Sequence, residues 1–161
     1  MSIRIIRTGN DPVLRQIAKP VAQVNRAIHK LLDDMAETMY AAPGIGLAAN
    51  QIGVAKRLVV IDVEDEHGLL EFINPEILEK SGSQKDYEGC LSLPGIRGAV
   101  TRAESVTVRA LNRNNEPFTL HATGLLARCI QHEVDHLDGI LFTDYLSPSE
   151  IIHESEGSQK R

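Results

Sequence analysis

The feature that most constrains this chain is a pair of histidines separated by three residues, with a glutamate directly after the first. The segment reads His132-Glu133-Val134-Asp135-His136. On an α-helix, side chains at i and i+4 lie on one face about one turn apart, so both imidazoles can bind one divalent cation. Glu133 would then lie close to water held at the cation. The pattern predicts a hydrolytic metal site, which needs a third ligand from elsewhere in the chain.

Cys90 is the best candidate for that third ligand. It lies in a run bracketed by glycine and proline, residues 88–94 with the sequence EGCLSLP. A thiolate is a strong ligand for Zn²⁺ or Fe²⁺, and the flanking Gly89 and Pro94 indicate a backbone held in an unusual path. A loop cysteine combined with two helical histidines would leave one coordination position open for water.

A metalloprotease is one alternative for the histidine motif. A thermolysin-like enzyme would take a downstream glutamate as its third ligand, and the candidates are Glu150, Glu154 and Glu156. They lie in a polar tail that lacks the apolar period of a packed ligand helix. A metzincin would need a third histidine at position 142, which is Phe142.

A structural zinc module is the second alternative. It would need a fourth protein ligand to close the site, and Cys129 or His121 would have to supply it. Cys129 stands in an apolar run three residues before His132, which favours a small buried thiol. Two cysteines without a signal peptide argue against a disulfide framework and for a reducing compartment.

Three separated segments resemble the signature motifs of the peptide deformylase family, in the expected order and spacing. They are residues 44–51 (GIGLAANQ), 88–92 (EGCLS) and 131–137 (QHEVDHL). The similarity extends over nearly the whole chain, from residues 11–14 to residues 141–148, and resembles the form carried by Gram-negative bacteria. The family removes the formyl group from the N-terminal methionine of new polypeptides, so the resemblance implies this activity.

The resemblance also implies the metal centre. Carried over residue by residue, it makes Cys90, His132 and His136 the ligands of one divalent metal ion and Glu133 the general acid and base. This ligand set suits Zn²⁺, Fe²⁺, Co²⁺ or Ni²⁺. The family is generally associated with Fe²⁺ and remains active with Ni²⁺ or Co²⁺, so we expect Fe²⁺. A thiolate beside Fe²⁺ implies sensitivity to oxygen.

The resemblance assigns two further groups to the oxygen of the substrate. They are the side-chain amide of Gln51 and the backbone N–H of Leu91. A neutral donor such as Gln51 suits a site that must hold developing negative charge. Because the formyl carbon bears only hydrogen, a narrow gap between Cys90 and Gln51 would exclude larger acyl groups, and we expect this steric filter to give the specificity.

We expect an apolar pocket for the methionine side chain and backbone pairing for the rest of the peptide. The pocket residues are Ile45, Leu125 and Cys129, with Glu88 near the rim. The backbone partners are Ile45, Gly46 and Gly89. Arg128 departs from the resemblance, since related bacterial enzymes often have an aliphatic residue there, and it would make the rim of the pocket more polar.

Length and composition predict one globular domain spanning residues 1–161. With 161 residues, of which 42% are apolar, the chain can bury a sizeable core. Only residues from about 154 to 161 read as a flexible polar tail. No stretch approaches the ~18 apolar residues of a membrane span, and the N-terminus lacks the apolar core of a secretory signal. We therefore expect a cytoplasmic protein without membrane contact.

The charge of the chain limits its partners. The formal net charge is −5, so there is no overall basic field for sequence-specific binding of nucleic acid. Contact with the ribosome would have to be transient and come from a local patch. We expect a monomer whose partners are formyl-methionyl nascent peptides.

The apolar periodicity predicts an α+β fold with antiparallel sheets around a central metal-binding helix. A stripe from Ile28 to Met39 predicts a long N-terminal helix that begins near Asn25 and ends before Pro43. Short β-branched runs predict two hairpins, residues 58–61 with 69–73 and residues 106–111 with 118–121.

The metal helix is predicted at about residues 125–137, with its apolar side chains in two neighbouring sectors. Ligands on such a rigid, packed element stay in the geometry that catalysis requires. Arg102 and Asp135 form either a pair that orients this helix or a solvated surface pair, and the sequence leaves both interpretations open.

Overall fold

The computed structural model of this protein describes residues 2–154. Within them the chain forms an α+β fold, as predicted, with short 3-10 turns between the main elements. The helices are α1 (Arg26–Ala41) and α2 (Gly124–Leu137). The strands are β1 (Gly46–Ala48), β2 (Leu58–Ile61), β3 (Leu70–Ser81), β4 (Gln84–Cys90), β5 (Leu93–Arg102), β6 (Ser105–Leu111), β7 (Pro117–Thr123) and β8 (Ile152–His153). The polar tail was expected at about residues 154–161, and all of it except Glu154 lies outside the described residues.

The strands form two antiparallel sheets. One has five strands in the order β1-β2-β3-β6-β7, and the other has three in the order β4-β5-β8. Both predicted hairpins are confirmed, with Leu58 opposite Ile73 in the first and Leu111 opposite Pro117 in the second. The β4–β5 hairpin was not predicted, because its strands carry many exposed or half-buried residues and little apolar alternation.

The strand β2 lies between the two helices, and its side chains explain why its sequence is apolar throughout. Successive side chains of a strand point to opposite faces. Leu58 and Val60 pack in the cluster that contains the apolar face of α1. Val59 and Ile61 pack in the cluster that contains the apolar face of α2. The central position expected for the metal-binding helix is therefore confirmed.

Asn25 caps the N-terminus of α1, and its side chain accepts a hydrogen bond from the Ile28 N–H at 3.1 Å. Its predicted apolar stripe is buried. The expectation of a long N-terminal helix is nevertheless wrong. The helix has 16 residues and follows a segment of extended chain and one 3-10 turn over residues 2–25. No helix within the described residues is long and apolar enough to cross a bilayer.

The extended N-terminal segment is fastened to α1 by a buried carboxylate. Asp34 is fully buried and accepts hydrogen bonds from the Ser2 N–H at 2.8 Å and from the Arg4 Nη2 at 2.7 Å. Burial alone would raise the pKa of Asp34, but its bonds to Arg4, Ser2 and Lys30 lower it below the usual value. The carboxylate therefore stabilises the folded state in its charged form.

Replacing Asp34 by Asn is expected to lower the free energy of unfolding by about 1–3 kcal/mol at pH 7, because the charged hydrogen bonds are lost. A lowered pKa gives stability that is present above the unfolded value and is lost as the pH falls below it. The difference between wild type and Asp34→Asn should therefore shrink below about pH 4. Urea unfolding at several pH values measures this.

Asp33→Asn is the matched control on the same helix. The Asp33 side chain is 37% exposed and pairs with Arg113 at 2.6 Å. Exposed pairs contribute only about 0–1 kcal/mol, so this variant should lose little stability. Equal losses in the two variants would show that Asp34 has no special role.

Candidate metal centre

The helix α2 presents both histidines from a buried position. His132 is 9% exposed and His136 is 1% exposed, and their ring centroids are 5.0 Å apart. The helix starts at Gly124, whose φ of +60° turns the chain out of β7. The orientation of the helix is fixed by apolar side chains that pack in the core cluster of the five-stranded sheet. They are those of Leu126, Ile130 and Leu137. The predicted placement of the two imidazoles on one face is confirmed.

Cys90 reaches the histidines from the end of β4. The strand is irregular between Glu88 and Cys90, and Cys90 then pairs with Leu93 across a tight turn. The Cys90 Sγ lies 3.3 Å from the His136 Nε2. One donor atom each of Cys90, His132 and His136 lies within 4.8 Å of the others. The three ligands predicted from the sequence therefore converge.

The other candidate ligands do not join this group. Among residues 2–154 the cluster of metal-ligating atoms at this site contains neither Cys129 nor His121. His121 is exposed on β7, and Glu150 and Glu154 are also outside the cluster. Glu156 lies beyond the described residues. Three ligands of this type leave a coordination position for water or substrate, so neither the protease nor the structural zinc alternative is supported.

Glu88 fixes the ring of His132. Its Oε1 lies 2.9 Å from the His132 Nδ1, which leaves Nε2 of that ring to face the cluster. Arg102 donates to both Glu88 oxygens, at 2.8 and 2.9 Å, and Arg128 Nη1 donates to Oε2 at 2.5 Å. Burial would raise the pKa of Glu88, but the bonds from Arg102 and His132 hold it well below its usual range. The carboxylate is therefore charged.

This arrangement changes the interpretation of two residues expected at the substrate pocket. Glu88 and Arg128 both line the cleft, as predicted. However, the Glu88 side chain is only 5% exposed, and its carboxylate is bonded to one histidine and two arginines. The Arg128 guanidinium is also bonded to Glu88 and to the Val100 carbonyl, so it is not a freely exposed polar group at the rim.

A second carboxylate, that of Asp135 on α2, extends the hydrogen-bond network of Glu88. Arg102 donates to the Asp135 Oδ2 at 2.7 Å, and the Tyr145 hydroxyl donates to the same oxygen at 2.7 Å. The Arg102 side chain is only 4% exposed, so the interpretation as a solvated surface pair is wrong. Burial and the bond to Asp135 raise the pKa of Tyr145 to about 12. The pair of Arg102 and Asp135 orients α2 from its outer side.

The two ligand histidines differ in their electrostatics. Burial would lower the pKa of His132, but its bonds to Cys90 and Glu88 raise it well above the usual value. Burial lowers the pKa of His136 well below the usual value, so that ring is neutral. A cation bound at this site would take the place of a proton on His132. The donor set, a thiol and two imidazoles, fits a divalent transition metal.

Glu133 is buried beside the ligands. It is 4% exposed, and its Oε1 has no hydrogen-bond partner among the described residues. Burial, the largest cause, raises the pKa of Glu133 to about 7. A Cβ atom at position 46 would lie 2.6 Å from the Glu133 Oε2, so only glycine allows β1 to pass this closely. The carboxyl group is placed to exchange a proton with a bound polar molecule.

Gln51 lies on the other side of Cys90, in a 3-10 turn after β1. Its Oε1 accepts the Ala48 N–H at 3.0 Å, so its Nε2 points to Cys90, with 3.6 Å between Nε2 and Sγ. Leu91 follows Cys90 in the turn and also lines the cleft. Gln51 and Cys90 are therefore in hydrogen-bonding contact, and the steric filter expected beside them stays a prediction.

A cleft of about 450 Å³ opens over these groups. Besides the ligands, Glu133 and Gln51, its walls include the predicted substrate residues Ile45, Gly46, Glu88, Gly89, Leu91, Leu125, Arg128 and Cys129. Ile45 and Leu125 are 42% and 53% exposed, so apolar surface remains available in the cleft. Burial raises the pKa of the Cys129 thiol well above its usual value, which makes it an apolar wall and not a nucleophile.

Among the cleft residues that the sequence analysis missed are six from one part of the chain. They are Tyr87, Leu93, Pro94, Gly95, Ile96 and Arg97. All lie on the β4–β5 hairpin, and the Arg97 guanidinium lies 5.1 Å from the Tyr87 ring centroid. Recognition of this hairpin on either side of the Cys90 turn would have identified them.

Comparison with known proteins agrees with this geometry. The model of the polypeptide deformylase family matches residues 3–151. A peptide deformylase of Carboxydothermus hydrogenoformans is 56% identical over 141 residues, covering 88% of this chain and 91% of that protein. One of Acetivibrio thermocellus is 54% identical over 161 residues, covering 100% of this chain and 92% of that protein.

Solved structures give the same result. A peptide deformylase from Legionella pneumophila matches with a TM-score of 0.89 and 49% identity, covering 92% of this chain and 89% of that chain. One from Synechococcus elongatus in complex with actinonin matches with a TM-score of 0.85 and 46% identity, covering 88% and 78%. The chain therefore belongs to the polypeptide deformylase family, metal-dependent enzymes that remove the formyl group from the N-terminal methionine of new polypeptides.

Proposed function

We propose that this chain removes the formyl group with Cys90, His132 and His136 as metal ligands and Glu133 as the proton carrier. The observation that carries this assignment is the convergence of the three donor atoms within 4.8 Å, beside a buried carboxyl group with a free oxygen. A divalent cation held there would polarise the formyl carbonyl and make water more acidic.

Glu133 accepts the proton of the water that attacks the formyl carbon, and later delivers it to the leaving amine nitrogen. Its raised pKa suits both roles, because a group that titrates near neutral pH can accept and donate a proton. The developing oxyanion lies between the Gln51 amide and the Leu91 N–H. A donor of this kind contributes about 3–4 kcal/mol to the transition state, or roughly 10²–10³ in rate.

The substrate occupies the cleft in an extended conformation. Its methionine side chain lies against Ile45, Leu125 and Cys129, which are grouped in the cleft walls. Its backbone pairs with Ile45 and Gly46 on one side and Gly89 on the other. Two edge strands support this arrangement, because β1 pairs only with β2 and β4 pairs only with β5 among the named strands of the described chain.

Glu133→Gln is expected to lower kcat by roughly 10²–10⁴, because the amide cannot carry the proton. The variant should still bind one equivalent of metal, since the three ligands are unchanged. Metal analysis and turnover of formyl-Met-Ala-Ser by enzyme loaded with Ni²⁺ measure both quantities. Glu76→Gln, an exposed glutamate paired with Arg109, is the control. Undiminished turnover in Glu133→Gln would remove Glu133 from the mechanism.

The pH dependence should follow the same carboxyl group. Only the deprotonated form of Glu133 accepts a proton, so activity is lost as the pH falls through its pKa. Burial raises that pKa to about 7, and a cation close by would lower it again. We expect the acidic limb of kcat/KM to have its midpoint at or below pH 7. A midpoint clearly above pH 7 would contradict Glu133 as the titrating group.

The close approach of Gln51 to Cys90, with 3.6 Å between Nε2 and Sγ, leaves little room beside the metal site and should select formyl over acetyl. An acetyl group adds a methyl at the reacting carbon, and we expect kcat/KM for acetyl-Met-Ala-Ser to be lower by at least about 10². Release of free amine from the two peptides under identical conditions measures the ratio. Comparable rates would mean that another feature of the site determines specificity.

We propose Fe²⁺ as the native metal, on the basis of the thiolate and two imidazoles and of what is general for the family. Anaerobic purification should yield iron and activity that air destroys by oxidation of the iron and the thiolate. Replacement by Ni²⁺ should keep the activity and remove the sensitivity. Zinc as the metal of the anaerobically purified, fully active protein would contradict this proposal.

Three further expectations complete the proposal. The chain acts as a monomer, in the cytoplasm, and contacts the ribosome only transiently while it processes nascent chains. The formal net charge of −5 supports the last point, because a negative protein gains little from a polyanionic surface. Light scattering gives the oligomeric state, and sedimentation with ribosomes at two salt concentrations measures the contact.

A further inference from the structure

The side-chain amide of Gln51 is held by two hydrogen bonds, one that it accepts and one that it donates. Its Oε1 accepts the Ala48 N–H at 3.0 Å, and its Nε2 donates to the Ser92 Oγ at 3.1 Å. Both side chains are almost completely buried, with 1% exposure for Gln51 and 0% for Ser92. Rotation of the amide would break both bonds in a place that water does not reach. The orientation of Gln51 is therefore fixed from both ends.

The Nε2 of Gln51 carries two hydrogens, and Ser92 takes only one of them. The other is donated to the Cys90 Sγ at 3.6 Å, and a sulfur is only a weak acceptor. An oxygen of the substrate beside Cys90 would take this second N–H in place of the sulfur. The hydroxyl of Ser92 thus decides which direction the remaining donor of Gln51 takes.

The N-terminal segment joins the main chains of the same two residues. The Arg7 N–H donates to the Gln51 carbonyl at 2.7 Å, and the Gly9 N–H donates to the Ser92 carbonyl at 2.9 Å. Gln51 and Ser92 are 41 positions apart in the sequence. Residues 7–9 therefore bridge the 3-10 turn that carries Gln51 and the turn that carries Cys90, and they hold the two turns at a constant separation.

We propose that Ser92 is a positioning residue for the reaction: its hydroxyl holds one N–H of Gln51 so that the other points to the substrate's oxygen beside Cys90. The proposal rests on the role given above to Gln51 as an oxyanion donor. Ser92 does not contact the cleft, since it is absent from its walls. Its effect on the reaction passes through Gln51 alone.

The test compares Ser92→Ala with wild type, both loaded with Ni²⁺, on formyl-Met-Ala-Ser. Loss of one orienting hydrogen bond should lower kcat about ten-fold. KM should stay close to that of wild type, because Ser92 lies outside the cleft. Ser92→Cys keeps a side chain of similar size and should lower kcat similarly, because a thiol is a weak acceptor. It provides the test if Ser92→Ala does not fold.

A double-mutant cycle with Gln51→Ala separates positioning from general damage. If Ser92 acts through Gln51, the change Ser92→Ala should alter kcat by less than about two-fold in the Gln51→Ala background. An equal loss in both backgrounds would overturn the proposal, as would an unchanged kcat in Ser92→Ala. If Gln51→Ala alone leaves kcat unchanged, the oxyanion role of Gln51 is wrong, and that failure is recognised separately.

The side-chain amide signals of Gln51 in the zinc-loaded protein provide a readout besides activity. Ser92→Ala should shift them and speed their exchange with water, while other amide signals keep their positions. Unaltered Gln51 signals would overturn the proposal. Thr38→Val is the matched control, because the buried Thr38 hydroxyl accepts the Arg4 N–H at 2.8 Å far from the cleft. It should lose stability without changing kcat.

Discussion

The structure depends on one buried carboxylate, that of Glu88. It lies on β4 and is bonded by His132 of α2, by Arg102 of β5 and by Arg128 of α2. These bonds connect the three-stranded sheet, which carries the proposed cysteine ligand, with the helix that carries the proposed histidine ligands. A buried charge is tolerated only when it is paired and fully hydrogen-bonded, and two guanidinium groups meet that requirement here. The metal centre thus forms at the junction of two layers that this carboxylate holds together.

The second constraint is the close packing around Glu133. The strand β1 passes so near its carboxyl group that a side chain at position 46 would displace Glu133 and Cys129. On its other sides the helix is covered by the core cluster of the five-stranded sheet. The resulting burial is what raises the pKa of Glu133 towards neutral pH. The same packing that stabilises the fold therefore raises the pKa of the group to which we assign the proton transfer.

The sequence predicted what local periodicity and spacing determine. The two hairpins and both helical stripes follow from the alternation and spacing of their apolar residues, and the pairing of His132 with His136 follows from helical spacing. Cys90 was chosen on the chemistry of its thiolate, on its flanking glycine and proline, and on the family resemblance. The β4–β5 hairpin could not be predicted in the same way, because β4 is mostly polar and β5 lacks a regular apolar alternation. The true role of Glu88 also depends on two arginines, 14 and 40 positions away, whose approach only the folded chain reveals. The error over the N-terminal helix has a similar origin, since Asp34, Gln51 and Ser92 bind residues 2–9 as extended chain.

The position of the cleft between the free edges of β1 and β4 has a consequence for the timing of the reaction. A substrate that pairs with both edges has to be extended, with its backbone N–H and C=O groups free to bond outside its own chain. A terminus already folded into a helix or sheet has no such groups to offer. With the substrate bound as we propose, the two sheet edges restrict the enzyme to chain ends that have not yet acquired structure, and deformylation has to precede the folding of the polypeptide it acts on.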